Sequence, residues 1–337
     1  MSYNKNSFLN LHKSCLLVKG KKRGTINDVQ RSKIELVPNE LIDFLRKYST
    51  KKIRAIYDSN YNTSELVIIQ EYLDFLIKNE FVFLSNERLD FSELPKKFEH
   101  PRKLLSAIID YNSKSVYSLK LAVNKIDNVG CENLQLRLYD TSISPKKLDT
   151  ILSYFNNTSF RYLEVVLLYE SNYVDEFQKI FEKYLRIKLV YYHSYNKDDR
   201  VKELNGVNYI FTSEKITSSD YCGYILPYYF HVYPTTAHLG ENHNTCLYKK
   251  IAIDVDGRVK NCPTMKYDFG DVLTTDFELV ISSKKFMKFW DITKDKIKVC
   301  KSCEFRKVCT DCRAYLKEDQ LYEKPVKCDY TPDNPNW

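Results

Sequence analysis

The sequence predicts an α/β protein built from three segments, and three observations carry the prediction. Residues 100–220 alternate apolar runs with helical spacings, at a repeat of roughly 25–30 residues, the pattern of βα units. Residues 1–97 hold helical spacings followed by a short apolar run. Residues 221–337 hold all of the ten cysteines except Cys15 and Cys131. At 337 residues and 43% hydrophobic content, the chain is long enough for more than one core and is too apolar to be disordered.

In the first segment, Pro38 opens a helical pattern with Leu41, Ile42, Phe44, Leu45 and Tyr48 on one face. A short second helix is expected at Ile53–Tyr57. Thr63 or Ser64 is the expected cap of a third, Glu65–Lys78, with Val67, Ile68, Tyr72, Phe75 and Leu76 as its buried stripe. Phe81–Leu84 reads as a strand and Ser85–Glu87 as a turn. Three helices followed by a strand pair is the order of a winged helix. Residues 1–97 are therefore expected to form a winged-helix-like module, which binds DNA or takes a peptide at its sheet edge. Glu65, Glu71 and Asp74 give the third helix a poor face for phosphate, so nucleic acid is the weaker expectation.

The middle segment, 98–220, is expected as a βα-repeat domain, either a partial α/β barrel or an open sheet. Leu104–Ile109, Leu134–Tyr139, Arg161–Leu168 and Ile187–Tyr192 read as strands. Ser115–Val129 reads as a helix ended by Gly130; Ser144-Pro145 starts the next, and Asp175–Leu185 follows. The longest apolar stretches, such as Tyr162–Tyr169, are too short to span a bilayer, so no membrane partner is expected. The opening MSYNKNSFLN lacks the apolar core of a signal peptide. A cytoplasmic location is expected, where thiols stay reduced and clustered cysteines point to metal rather than disulfides. The net charge of +8 is modest and spread along the chain, and does not by itself indicate nucleic acid.

In the third segment, 221–337, Asp256-Gly257 lies between Ile251–Asp254 and Arg258–Asn261, a hairpin signal. It returns the chain so that Cys246 and Cys262 approach the same end. Cys300-Lys-Ser-Cys303 and Cys309-Thr-Asp-Cys312 follow, then Cys328. A CxxC pair presents two thiolates to one metal from a single turn, and two pairs five residues apart are a strong metal signal. Zinc and iron–sulfur clusters both accept four thiolates, and spacing leaves the choice open. Lys298, Lys301, Arg306, Lys307 and Arg313 are expected to offset thiolate charge and lower the thiol pKa values.

The order Cys246, Gly257, Cys262, Cys300-x2-Cys303-x5-Cys309-x2-Cys312 and Cys328 resembles a SPASM domain, the auxiliary-cluster domain of radical-SAM peptide-modifying enzymes. His243-Asn-Thr-Cys246, Asn261-Cys-Pro-Thr-Met265, Cys309-Thr-Asp-Cys-Arg-Ala-Tyr315, Lys327-Cys-Asp-Tyr330, Lys19-Gly20 and Asp28–Arg31 extend the likeness over nearly the whole chain. Together they resemble the SPASM-domain peptide maturases of grasp-with-spasm systems. The resemblance implies one or two [4Fe–4S] clusters, a small precursor peptide, an ATP-grasp peptide ligase as partner, and leader recognition by the winged-helix-like module. It implies a first centre at Cys300, Cys303, Cys309 and Cys328, and a second at Cys246, Cys262 and Cys312. Cys222 or His243 is the candidate fourth ligand of the second centre, with an open iron site as the third option.

The sequence departs from that pattern twice. Cys309 and Cys312 are separated by two residues where the pattern has three. The CxxxCxxC that starts radical-SAM chemistry is absent, and the expected loop after the first strand, Asp110–Lys114, has no cysteine. Residues 98–220 are thus expected to be a degenerate radical-SAM partial barrel without radical initiation.

No Gly-rich phosphate loop, G-x-S-x-G or H-E-x-x-H occurs, and no catalytic residue is assigned. Cys15, in an expected buried strand, and Cys131, His231 and His238 are expected as packing or surface residues. Asp254, Asp256 and Asp268 either flank the hairpin metal site or serve its turns. The leading expectation is a metal-cluster maturation protein. The alternatives are a zinc-stabilised adaptor, in which binding alone matters, and more remotely a nucleic-acid-binding protein.

Overall fold

The computed structural model describes residues 3–91, 97–139, 142–230, 232–317 and 320–336, so His231 lies outside the described residues. The chain opens with four short strands, β1 (Phe8–Leu11), β2 (Cys15–Lys19), β3 (Gly24–Asp28) and β4 (Lys33–Val37). Helices α1 (Asn39–Tyr48), α2 (Arg54–Tyr57) and α3 (Thr63–Lys78) follow, then β5 (Val82–Ser85). β2, β3 and β4 form an antiparallel sheet with β3 in the centre, while β5 returns to pair with β1.

α1 buries Leu41, Ile42, Phe44, Leu45 and Tyr48, as its spacing predicts. α3 differs from expectation in two ways. Its cap is Asn62, whose side chain accepts from Glu65 N at 3.0 Å while Glu65 reaches back to Asn62 N, a reciprocal capping box. Its buried stripe is Ile69, Leu73 and Leu76, whereas Val67 and Ile68 are 56% and 46% exposed. The run Leu66–Leu76 carries apolar residues on more than one face, so periodicity admitted two rotations, and packing selected the other.

The middle of the chain alternates β6 (Leu104–Tyr111), α4 (Leu119–Asn128), β7 (Cys131–Leu138), α5 (Pro145–Ser153), β8 (Tyr162–Leu168), α6 (Val174–Lys183) and β9 (Ile187–His193). β6 through β9 pair in parallel, each with its neighbour in sequence. β10 (Arg200–Leu204) and β11 (Val207–Phe211) extend the sheet beyond β9. After α7 (Pro234–Asn242), β12 (Lys250–Ile253) pairs in parallel with β6 on the opposite side, and β13 (Val259–Lys260) closes a hairpin on it. The eight-stranded sheet therefore runs through the cysteine-rich segment as well. α4 starts at Leu119 rather than near Ser115 because Ser118 accepts from Leu121 N and caps it there.

Strand alternation gives the sheet two unlike faces. Ala107, Ile109, Leu134, Leu136, Val165, Leu167, Val190 and Tyr192 share one core with the helical residues Ala122, Val123, Leu148, Phe177 and Phe181. The alternate positions carry a polar ladder. Gln135 donates to Glu164 at 2.7 Å and accepts from Arg137 Nε at 2.6 Å, and Arg137 lies 3.7 Å from the buried Asp110. Among the described residues, no helix is long and apolar enough to cross a membrane.

Candidate metal centres

In the β12–β13 turn, Gly257 has φ +79°, and an added Cβ would stand 3.0 Å from the Tyr117 ring. Only glycine fits that left-handed turn at low cost. Asp254 braces it, accepting from Asp256 N and Arg258 N at 3.1 and 2.8 Å. Asp254 pairs with Lys260, and Asp268 with Arg258, so these carboxylates engage the hairpin's own cations.

Cys300 begins a single helical turn, and Cys303 N closes it on Cys300 O at 2.9 Å. Cys300, Cys303, Cys309 and Cys328 all line one small cavity, walled by Ile225, Phe230 and Phe305. Lys294 lines the same cavity and is buried, with its Nζ 3.0 Å from Asp311 Oδ1. Asp311, itself buried, also takes Arg313 at 2.8 Å and Asn244 Nδ2 at 2.6 Å. The Asn244 side-chain oxygen accepts from Cys246 N and Leu247 N at 3.0 and 2.8 Å. One carboxylate, set between Cys309 and Cys312, thus ties the loop of the first thiol group to that of the second.

The second group forms around Lys250, whose Nζ lies 3.7 Å from Cys246 Sγ. Cys246, Cys262 and Cys222 all act electrostatically on Lys250, and Cys246 and Cys262 act on Cys312. Cys222 acts on Cys246 as well. Gly223, next in sequence, has φ +93°, and a Cβ there would lie 2.7 Å from Tyr315 and 3.1 Å from Cys312 Sγ. Tyr221, on the other side, stacks under Arg137 at 5.1 Å. Cys222 is thereby fixed between the polar face of the sheet and the second thiol group. His243 points elsewhere: its Nδ1 lies 3.0 Å from Asp291, and its ring stacks on Tyr248. Cys15 and Cys131 sit inside the two large apolar cores.

Five of the clustered thiols are raised rather than lowered as the nearby basic residues suggest. Burial pushes Cys309 and Cys312 up to about 12, and Cys246, Cys300 and Cys303 upward as well. Four of the named cations pair with carboxylates. Lys298 pairs with Glu323, Arg306 and Lys307 with Asp295, and Arg313 with Asp311. Lys294 opposes the rise at Cys300 and Cys309, and Arg313 opposes it at Cys300 as well. Neither Lys294 nor Asp311 carries a spacing signal toward the thiols. Lys250 does, four residues after Cys246 and just inside the hairpin.

Residues 245–304 match the SPASM iron–sulfur cluster-binding domain. The SPASM match takes in Cys246, Cys262, Cys300 and Cys303; the remaining cysteines of both groups lie outside it. No curated protein matches the chain. Among solved structures, Streptococcus suis SuiB aligns at 11% identity and TM-score 0.34, covering 95% of this chain and 100% of that one. SuiB bound to its precursor peptide SuiA, and SuiB bound to S-adenosylmethionine, each align at 10% identity and TM-score 0.33, covering 96% of this chain and 100% of theirs.

The donor set fits what the SPASM match implies. Four thiols share one largely apolar cavity with a buried cation, a suitable lining for a cluster whose net charge is negative. Among the described residues, no three His, Cys, Asp or Glu side chains converge on a single-ion position.

Proposed function

We propose that the chain is an iron–sulfur maturation protein for a small ribosomally made peptide, carrying a [4Fe–4S] cluster in each thiol group. The observation that carries this reading is the meeting of Cys300, Cys303, Cys309 and Cys328 on one cavity, in a segment whose first part matches a cluster-binding domain. Cys246, Cys262 and Cys312 hold the second cluster in this reading, with Cys222 as its fourth ligand. An iron–sulfur cluster, when bound, supplies one-electron chemistry and a fixed scaffold for its loops. The residues around it set its charge environment: Lys294 for the first group and Lys250 for the second.

Residues 1–97 act in this reading as a winged-helix-like module that recognises the precursor's leader. β4 pairs only with β3 among the described strands, which leaves an edge for an added strand. Leu36 on β4 and Val67 and Ile68 on α3 are uncovered, and Lys33 at the start of β4 reaches Asn79 at the end of α3. Residues 98–220 serve as a degenerate partial barrel. With no CxxxCxxC, the chain presents the precursor to an ATP-grasp ligase rather than starting radical chemistry itself.

Metal and sulfide analysis of anaerobically purified protein, with a visible spectrum, tests the cluster reading. Roughly eight irons with matching sulfide are expected. Replacing Cys303→Ser or Cys246→Ser should each remove about half of the iron. Zinc without sulfide, after growth with ample iron, replaces this reading with a zinc-stabilised adaptor. Failure of a neighbouring ligase or its peptide to co-purify removes the maturation role.

A further inference from the structure

The β2–β3–β4 sheet is shared between two cores. Ile26 and Val37 face the N-terminal core with α1 and α3. Leu16 and Ile34 turn the other way, onto the core that contains Phe305, Val308, Cys309 and Cys312. The hydrogen bonds across that second contact come from the ligand loops. Glu304, directly after Cys303, is only 1% exposed; its carboxylate accepts from Arg23 Nε at 2.8 Å and its carbonyl from Thr25 Oγ1 at 2.9 Å. Tyr330, two residues after Cys328, donates to the same carboxylate. Arg306 donates to Lys19 O at 2.6 Å and to Cys303 O at 2.8 Å, bridging sheet and ligand turn in one side chain. The approach is close, since a Cβ on Gly20 would stand 2.9 Å from Glu304 N.

Among the described residues, the segment from Lys288 to Asn336 has no helix longer than a single turn and no named strand. Its buried residues pack around the thiols rather than into regular elements, so ligation would add the cross-links that its backbone lacks. From these contacts we infer that loading of the first metal centre holds the recognition sheet in place, so that peptide binding at β4 is conditional on the metal. The inference rests on the reading of β4 as the peptide edge. An empty centre frees the Cys303 and Cys328 loops. Glu304 and Tyr330 then leave Arg23 and Thr25, and the face carrying Leu16 and Ile34 loses its cover.

Hydrogen–deuterium exchange of the full chain, iron-loaded and chelator-stripped, tests this without any peptide. Stripping is expected to speed exchange at residues 15–37 at least about tenfold, while β7 and β8 keep their protection. Unchanged exchange at 15–37 overturns the coupling and leaves the cluster reading intact. Loss of protection that spreads to β7 and β8 is global unfolding and overturns it too. If the chain takes zinc and no iron, and the zinc-loaded and stripped forms still differ at 15–37, the coupling stands and the iron reading falls. The reciprocal test uses R23A together with T25V, neither a metal ligand. By linkage, releasing the sheet should weaken metal retention in chelator competition by at least about fivefold relative to an exposed control, K103A. Equal retention in both overturns the proposal.

Discussion

Asp311 receives a lysine, an arginine and an asparagine in a space closed to water, and that concentration of charge makes it the most sensitive side chain near the thiols. Replacing Asp311→Ala would leave Lys294 and Arg313 as buried cations facing each other. Breaking a buried pair in this way costs about 3–5 kcal/mol, and urea denaturation of the variant should show a loss of that size. His193 offers a test by pH. Burial holds its pKa down at about 4, against an ordinary 6.5. The buried imidazole stays neutral, so its contribution is present above pH 6.5 and is lost as pH falls toward 4, by at most about 3 kcal/mol. Asp110 runs the opposite way: burial raises it to about 6, so it favours the folded state increasingly as pH falls below that value. The His193 effect is therefore read as a difference. His193→Gln should be less acid-sensitive than the parent between pH 6.5 and 4, and an identical pH profile would show that His193 is not the group responsible. Neither Asp311 nor His193 was legible as such, since a carboxylate in CxDC and a histidine at a strand end acquire their roles from partners distant in sequence. The two CxxC pairs stood out because their spacing is local.

Helices and strands divided along the same line. The helices and parallel strands of the middle segment were readable because each keeps one apolar face against a common core. β3, Gly24–Asp28, is buried at all five positions but carries Thr25, Asn27 and Asp28, so no hydrophobic pattern announces it. Thr25 is placed by the distant Glu304 and Asp28 by the nearby Arg31. Where two rotations of a helix are equally apolar, as in α3, the cap decides little and the core decides the face. The cap still contributes to stability. Asn62→Ala removes the acceptor for Glu65 N and should lower stability by about 1 kcal/mol, with little change from Asn62→Asp. Thermal unfolding monitored by circular dichroism would detect this, and an Ala variant as stable as the parent would mean that α3 is held by packing alone.

At the scale of the whole molecule, the sheet ignores the compositional break near residue 221. β12 lies against β6 with Ile251 beside Ala107 and Ile253 beside Ile109. Ile251, Ile253, Val259, Val272, Phe277, Ile281 and Phe286 all belong to the same core as β6 to β9. At about 1.5–3 kcal/mol for each fully buried side chain, these seven contribute roughly 10–20 kcal/mol, comparable with the whole stability of an ordinary domain. A fragment ending at residue 220 would lose that burial and bare the inner edge of β6, a strand edge open to pairing with other copies. Residues 98–220 expressed alone should therefore aggregate or elute as a broad oligomer, while 98–290 should give a folded monomer by size-exclusion chromatography and amide dispersion. A cooperative, monomeric 98–220 would show that β12 and α8 (Phe277–Ser282) are attachments to a finished sheet. An aggregated one would show that the cysteine-rich segment completes the sheet. In that case the βα repeats and the hairpin and helices of residues 250–286 would be one folding unit, distinct from the loops of the first metal centre and the recognition sheet that they contact.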